Sequence, residues 1–177
     1  ISYDMKVFSK VSDLRKALEE CRKEGKSIGL VPTMGALHSG HISLVDKCVK
    51  ENDVCVVSIF VNPTQFNNAK DLETYPRDLN KDATLLETVS CDYLFAPKAD
   101  EIYSEEEKNT TFEFDFQGLD KVMEGPRRPG HFNGVVQIVS KLFTLIQPHK
   151  AYFGEKDFQQ VAIIRLMTQT MKFDIEI

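Results

Sequence analysis

Ile28-Gly-Leu-Val-Pro-Thr-Met-Gly-Ala-Leu-His-Ser-Gly-His41 decides the fold. Ile28 to Val31 is a short apolar run closed by Pro32, which predicts a buried strand. After a tight turn, Ile42, Val45 and Val49 recur at helical spacing. A strand that passes through a glycine-bearing turn into a helix is the repeating step of a parallel sheet. The stretch on either side extends the pattern. Upstream, Val11, Leu14, Leu18 and Cys21 mark an amphipathic helix, with Gly25 as its stop. Downstream, Val54-Cys-Val-Val-Ser-Ile-Phe-Val61 is a continuous apolar run, as expected of a parallel strand covered on both faces. A helix over 78–89 and a strand at Tyr93-Leu-Phe-Ala96 follow. This β-α-β-α-β rhythm predicts an α/β domain with a doubly wound parallel sheet.

The second half is less regular. Pro97 to Gly134 is acidic in part and rich in Gly and Pro. Within it Phe112, Phe114 and Phe116 alternate with Glu113 and Asp115, a half-buried strand pattern. One face of that strand would be strongly apolar, and a small domain would leave it for association with a second copy. A helix at 135–146, a strand at Ala151-Tyr-Phe153, a helix from Phe158 to Met171 and the start of a strand at Phe173 to Ile177 complete the expectation.

Composition narrows the function. A chain of 177 residues, 42% of them apolar, fits one globular domain. A net charge of −5 argues against a nucleic-acid binder, which carries a basic face. Cys21, Cys48, Cys55 and Cys91 form no C-x-x-C pair, and three of them sit in apolar segments. They read as buried reduced thiols of a cytoplasmic protein rather than as metal ligands or disulfides. No apolar run has the length of a membrane span, and no signal-peptide pattern opens the sequence.

Four segments carry residues suited to chemistry, each placed by the pattern near a strand's carboxyl end, where open parallel sheets bind ligands. In the first, Gly35 and Gly40 let the backbone approach a ligand, and the following helix points its N–H groups and positive dipole end at it. His38 and His41, three residues apart, can face one anionic group together. Such donors suit nucleotidyl transfer, in which attack on an α-phosphate builds charge on the phosphate oxygens and the leaving pyrophosphate. An H-x-G-H pair at a helix start is shared by several adenylylating families. The second segment is Gly154-Glu-Lys-Asp157, where Lys156 could meet phosphate and Asp157 could cap the helix or hold a ribose hydroxyl or a metal-bound water. The third is Arg127-Arg-Pro-Gly-His131, a turn that would project Arg128 and His131. The fourth is Val61-Asn-Pro-Thr-Gln65, whose Asn62 and Gln65 could orient a polar substrate. Taken alone, the two histidines could be capping or packing residues, and a solvated charged helix start explains the second segment better than ligand binding does. An ordinary surface turn explains the third about as well, and an Asn-Pro turn closing a strand explains the fourth nearly as well.

Taken together, the segments resemble the pantothenate synthetase (pantoate–β-alanine ligase) family. The resemblance rests on Val31-Pro-Thr-Met-Gly-Ala-Leu-His-Ser-Gly-His41, Ile59-Phe-Val-Asn-Pro-Thr-Gln-Phe66, Tyr75-Pro-Arg77, Arg128-Pro-Gly-His-Phe132 and Tyr152-Phe-Gly-Glu-Lys-Asp-Phe-Gln-Gln160. It implies a Rossmann-like nucleotidyltransferase fold of the HxGH type. It also implies a two-step reaction in which ATP and pantoate give pantoyl adenylate and pyrophosphate, and β-alanine then displaces AMP. By the same resemblance, Met34, Gly35, Ala36, Leu37, His38, Ser39, Gly40 and His41 would line the ATP phosphates, with His41 the proton donor. Gly154, Glu155, Lys156 and Asp157 would also bind ATP, Lys156 as a catalytic group on phosphate. Gln65 and Gln160 would hold pantoate, and Gln65 would also meet β-alanine. Asn62, Arg128 and His131 would support the pocket, Mg2+ would accompany ATP with no protein metal ligand assigned, and the assembly would be a homodimer. The family's later Met-Ser-x-Arg-Asn segment and small C-terminal domain have no counterpart in residues 1–177, which corresponds to an N-terminal ATP- and pantoate-binding domain. Two other readings stand beside this one: another HxGH nucleotidyltransferase (or a class I aminoacyl-tRNA synthetase domain), and a nucleotide-binding fragment without catalysis.

Overall fold

The central strand of the fold is the long apolar run. In the computed structural model, which describes residues 4–66, 69–108, 113–122, 130–154 and 158–177, that run forms Val54–Ile59 (β3). Lys6–Phe8 (β1), Ile28–Thr33 (β2), Tyr93–Phe95 (β4) and Lys150–Ala151 (β5) complete one sheet of five strands in the order β1-β4-β3-β2-β5. Every pairing is parallel. The helices are Val11–Lys23 (α1), Ser39–Glu51 (α2), Ala69–Thr74 (α3), Leu79–Thr88 (α4), Ala99–Ile102 (α5), Glu105–Lys108 (α6), His131–Ile146 (α7) and Phe158–Thr170 (α8). Single 3-10 turns lie at Pro63–Gln65 and Leu119–Lys121.

Side chains that alternate along each strand feed two cores. Ile28, Leu30, Val54, Val56 and Phe95 face one layer, built from Leu14 and Leu18 of α1, Leu142, Phe143 and Ile146 of α7, and Ile163, Ile164 and Met167 of α8. Val31, Cys55, Val57 and Leu94 face the other, built from Val45 and Cys48 of α2 and Leu86 of α4. Each wholly buried Leu, Ile or Phe stabilises the fold by about 1.5–3 kcal/mol, so both layers are held firmly to the sheet. From β2 the chain steps through α2 to β3 and on to β4 in one direction, whereas β5 lies on the opposite side of β2. That reversal opens a crevice at the carboxyl ends of β2 and β5, where doubly wound sheets place their ligands.

Several expectations shift at the edges of elements. β2 does not stop at Pro32; it continues to Thr33, pairing Pro32 with Ser58 and Thr33 with Ile59 of β3. The carbonyls of Ile28 and Leu30 accept N–H groups from His149 and Tyr152 on the β5 side. Pro32 shares that side by the two-residue period, and β5 has already ended there, so its missing N–H breaks no ladder bond. The strand expected at 151–153 is Lys150–Ala151 instead: beyond the Tyr152 N–H bond to Leu30 the chain leaves the sheet to line the crevice. Phe173 to Ile177 forms one parallel bridge, Glu176 to Lys150, on the far side of β5. β1 and the short helices α3, α5 and α6 have no counterpart in the expected pattern.

Two corrections bear on function. The expected strand of alternating phenylalanines is not formed at 113–116, and Phe112 lies outside the described residues. Phe114 and Phe116 meet edge to face with centroids 5.2 Å apart and turn onto the chain's own core, Phe116 being 5% exposed. The apolar surface of Phe114 and Phe116, on which association was expected, is therefore spent internally. The helix expected from 135 begins at His131, with Gly130 as its N-cap at φ 76, so His131 is a buried first-turn residue rather than a side chain projected from a loop. The four cysteines are free and buried, as expected. Hydrogen bonding with Cys48 and Cys91, then burial, pushes the Cys55 thiol far up and leaves it inert. Among the described residues no helix is long and apolar enough to cross a membrane.

Candidate active site

The crevice is a cavity of about 1370 Å³ walled by the end of β2, one side of α2, α7, and the β5–α8 region. The end of β2 and the turn after it reach the cavity at Thr33 and Met34. Thr33 Oγ1 donates to Ser58 O at 2.9 Å and accepts from Gly35 N at 3.1 Å. Gly35 and Ala36 then take φ 84 and 52, left-handed values that Gly adopts without penalty and Ala avoids. The chain thus reverses in two residues and enters α2 at Ser39.

The two histidines cap that helix. His38 Nδ1 accepts from Gly40 N at 3.1 Å, and His41 Nδ1 accepts from His38 N at 3.1 Å, a reciprocal box made by imidazoles in place of hydroxyl and carboxylate. A neutral imidazole whose Nδ1 accepts carries its proton on Nε2. The caps therefore fix the tautomer of both rings, which lie 4.0 Å apart and line the cavity. Their Nε2–H donors join the first-turn amides and the positive end of α2, an arrangement suited to phosphate oxygens.

Met34, His38, Ser39, Gly40 and His41 line the cavity. Gly35, Ala36 and Leu37 do not, because they form the back of the turn: the Ala36 and Leu37 amides point to a buried carboxylate, Asp82, on α4. Gln65, on the 3-10 turn beyond β3, and Gln160, on α8, line the same cavity from other walls, and Gly154 lies beside them. Glu155, Lys156, Asp157 and Arg128 lie outside the described residues.

Asn62 and His131 stand behind the wall rather than in it. Asn62 is fully buried; its Nδ2 donates to Gly134 O at 2.9 Å and its Oδ1 accepts from Tyr103 OH at 2.9 Å. His131 Nδ1 lies 3.1 Å from Gln65 O. Both therefore pin the turn that carries Gln65 to α7. Burial pushes the Tyr103 phenol up to about 12. A folded-state value above the ordinary one near 10 gives stability that is complete below pH 10 and lost as pH rises through about 12. Tyr103→Phe is expected to flatten that decline in urea midpoints between pH 9 and 12. It should also lower stability at pH 7 by about 1 kcal/mol, since Asn62 Oδ1 loses its donor.

Sequence reasoning gave no role to Asp82, and it quoted Tyr75 and Arg77 only as part of the Tyr75-Pro-Arg77 signature without assigning them one. Tyr75 lines the cavity with its ring 5.7 Å from Phe66, its phenol raised by burial and then by the nearby Asp82 charge. Arg77 donates to the carbonyls of Leu72 and Tyr75, closing the end of α3. Among the described residues no group of three His, Cys, Asp or Glu side chains could hold a metal.

The parallel order, the switch-point crevice and the histidine-capped helix define a nucleotidyltransferase-type α/β fold. The family model described as pantoate-beta-alanine ligase matches residues 6–177, and the chain belongs to that family. It is 58% identical over 173 residues to the pantothenate synthetase of Bacteroides fragilis and 53% identical over 173 residues to that of Porphyromonas gingivalis, covering 98% of this chain and 60% of each relative. Among solved structures, the pantothenate synthetase of Thermus thermophilus superposes with a TM-score of 0.87 at 44% identity, over 97% of this chain and 60% of that one. The pantoate-beta-alanine ligase of Francisella tularensis, complexed with beta-gamma ATP and beta-alanine, superposes with a TM-score of 0.91 at 40% identity, over 98% and 65%. The chain therefore spans about three fifths of the length of these curated relatives.

Proposed function

We propose that residues 1–177 form the ATP- and pantoate-binding part of a ligase that joins pantoate to β-alanine through pantoyl adenylate. The observation that carries this reading is the convergence of His38, His41, Gln65 and Gln160 on one switch-point cavity. In the first step a pantoate carboxylate oxygen attacks the α-phosphorus of MgATP and pyrophosphate departs. The Nε2–H groups of His38 and His41, with the α2 amides, meet the charge that grows on the phosphate oxygens, and His41 is the donor to the departing group. Lys156 would add a point charge on phosphate. In the second step the β-alanine amine attacks the acyl carbon, loses a proton and expels AMP, leaving the amide. Gln65 and Gln160 orient pantoate by hydrogen bonds, and Gln65 also meets β-alanine.

Pyrophosphate release from ATP that requires pantoate tests this in the protein carried to the full length of its relatives; release independent of pantoate would point to another nucleotidyl transfer. Gln65→Ala and Gln160→Ala are each expected to raise the pantoate requirement by about tenfold, as one or two lost hydrogen bonds imply, with the KM for ATP unchanged. A shift in ATP alone would reassign these residues. Homodimer formation and a cytoplasmic setting belong to the same proposal; the resemblance carries the first, and the free buried thiols support the second. Sedimentation velocity is expected to show a dimer, and a monomer at every concentration would contradict it.

A further inference from the structure

We propose that Asp82 is a positioning residue for phosphate transfer, the group through which α4 sets the aim of His38 and His41; this rests on the ligase reading above. Asp82 is 3% exposed, and a carboxylate so placed is costly unless its oxygens are taken up by donors. Both are: Oδ2 accepts from Ala36 N at 3.0 Å and Oδ1 from Leu37 N at 2.9 Å. These two amides belong to the residues immediately before His38. They hold Ala36 at φ 52, which an L residue avoids and keeps only when its surroundings enforce it. A Cβ on Gly35 would stand 3.1 Å from Asp82 Oδ2, so carboxylate and turn are also packed together.

The clamp acts on direction rather than on substrate. Asp82 stands behind the turn, outside the wall of the main cavity, with an amide on each oxygen. What it fixes is the path of 35–37, and hence where His38 begins the capping box that orients both rings. Transition-state donors are effective only when held near their working geometry. A loosened turn should therefore slow phosphate chemistry while leaving Gln65 and Gln160, which stand on other elements, undisturbed.

Asp82→Asn keeps one acceptor and sets an NH2 group against a backbone N–H. In the protein carried to the full length of its relatives, kcat for pantoate-dependent pyrophosphate release is expected to fall about 10- to 100-fold, with the KM for pantoate unchanged. Asp78→Ala is the control. It removes the N-cap of the same helix, where Asp78 accepts from Lys81 N at 3.1 Å, and should lower the unfolding midpoint yet leave kcat per folded molecule intact. A normal kcat in folded Asp82→Asn overturns the proposal, as does an equal loss in Asp78→Ala. Should Asp82→Asn not fold, Asp82→Glu, with both acceptors on a longer arm, carries the same kinetic expectation. In the unaltered labelled chain, couplings across the hydrogen bonds from the Ala36 and Leu37 nitrogens to the Asp82 carboxyl carbon are expected, and their absence overturns the clamp. If the unaltered protein releases no pyrophosphate with pantoate, the ligase reading fails and the clamp is read separately. Inorganic pyrophosphate is then titrated against the His38 and His41 ring resonances. About tenfold weaker binding in Asp82→Asn is expected there, and equal binding overturns the proposal.

Discussion

His41→Ala should slow pantoate-dependent pyrophosphate release by about two to four powers of ten. The ring contributes twice. Its Nδ1 closes the cap on His38 N, and on the proposed ligase reading its Nε2–H would meet charge that exists fully only in the transition state. Losing a donor of the second kind lowers kcat more than it raises KM. His38→Ala should act in the same direction, more mildly, because the α2 amides remain in place. The substitution His41→Asn separates the two contributions: the side-chain oxygen can still accept from a backbone N–H as a cap does, so helix stability should recover more than rate. Near-normal rates for both alanine variants would return the histidines to a purely capping role.

Gly134→Ala should damage the protein from the opposite wall. A Cβ at this position in α7 would lie 2.5 Å from Thr64 O and 2.6 Å from Gln65 N. Both are backbone atoms, so no side chain can swing aside; α7 or the 3-10 turn must move. Overpacking of this kind costs about 3 kcal/mol. The displaced turn carries Gln65 and is tied to Gly134 by Asn62, so whatever protein folds should bind pantoate more weakly. Gly25→Ala is the comparison: its φ is +74 with nothing within 4 Å of the added Cβ, so only local strain of about 1 kcal/mol is expected. Urea unfolding of the two variants checks this, and equal midpoints would show that the contact between α7 and the turn is not tight.

The strand–turn–helix at residues 28–49 was legible because hydrophobic period, glycine placement and histidine spacing all agree there. The two-layer core was legible for the same reason: continuous apolar runs such as Val54–Ile59 arise where both faces of a strand are covered. Local pattern failed where partners distant in sequence decide. Pro32 stays in its strand only because β5 ends early, which no local window shows. Phe114 and Phe116 alternate as a strand would, yet both rings turn inward to the same core. His131 and Asn62 belong to ligand-side motifs but serve as ties between α7 and the turn after β3. Asp82 left one trace. It falls four residues before Leu86, on the apolar stripe of α4 where a carboxylate has no reason to be unless backbone donors face it.

Oxygen transfer tests the central claim most directly. Pantoate labelled with 18O in its carboxylate is supplied with MgATP and β-alanine to the protein carried to the full length of its relatives, and the AMP formed is weighed by mass spectrometry. Attack of the carboxylate on the α-phosphorus leaves that oxygen bridging acyl carbon and phosphorus, and displacement by the amine then expels it with AMP. One 18O in each AMP is the result the account predicts. Unlabelled AMP, or label recovered in orthophosphate with ADP as co-product, would mean that the carboxylate is not adenylylated over His38 and His41.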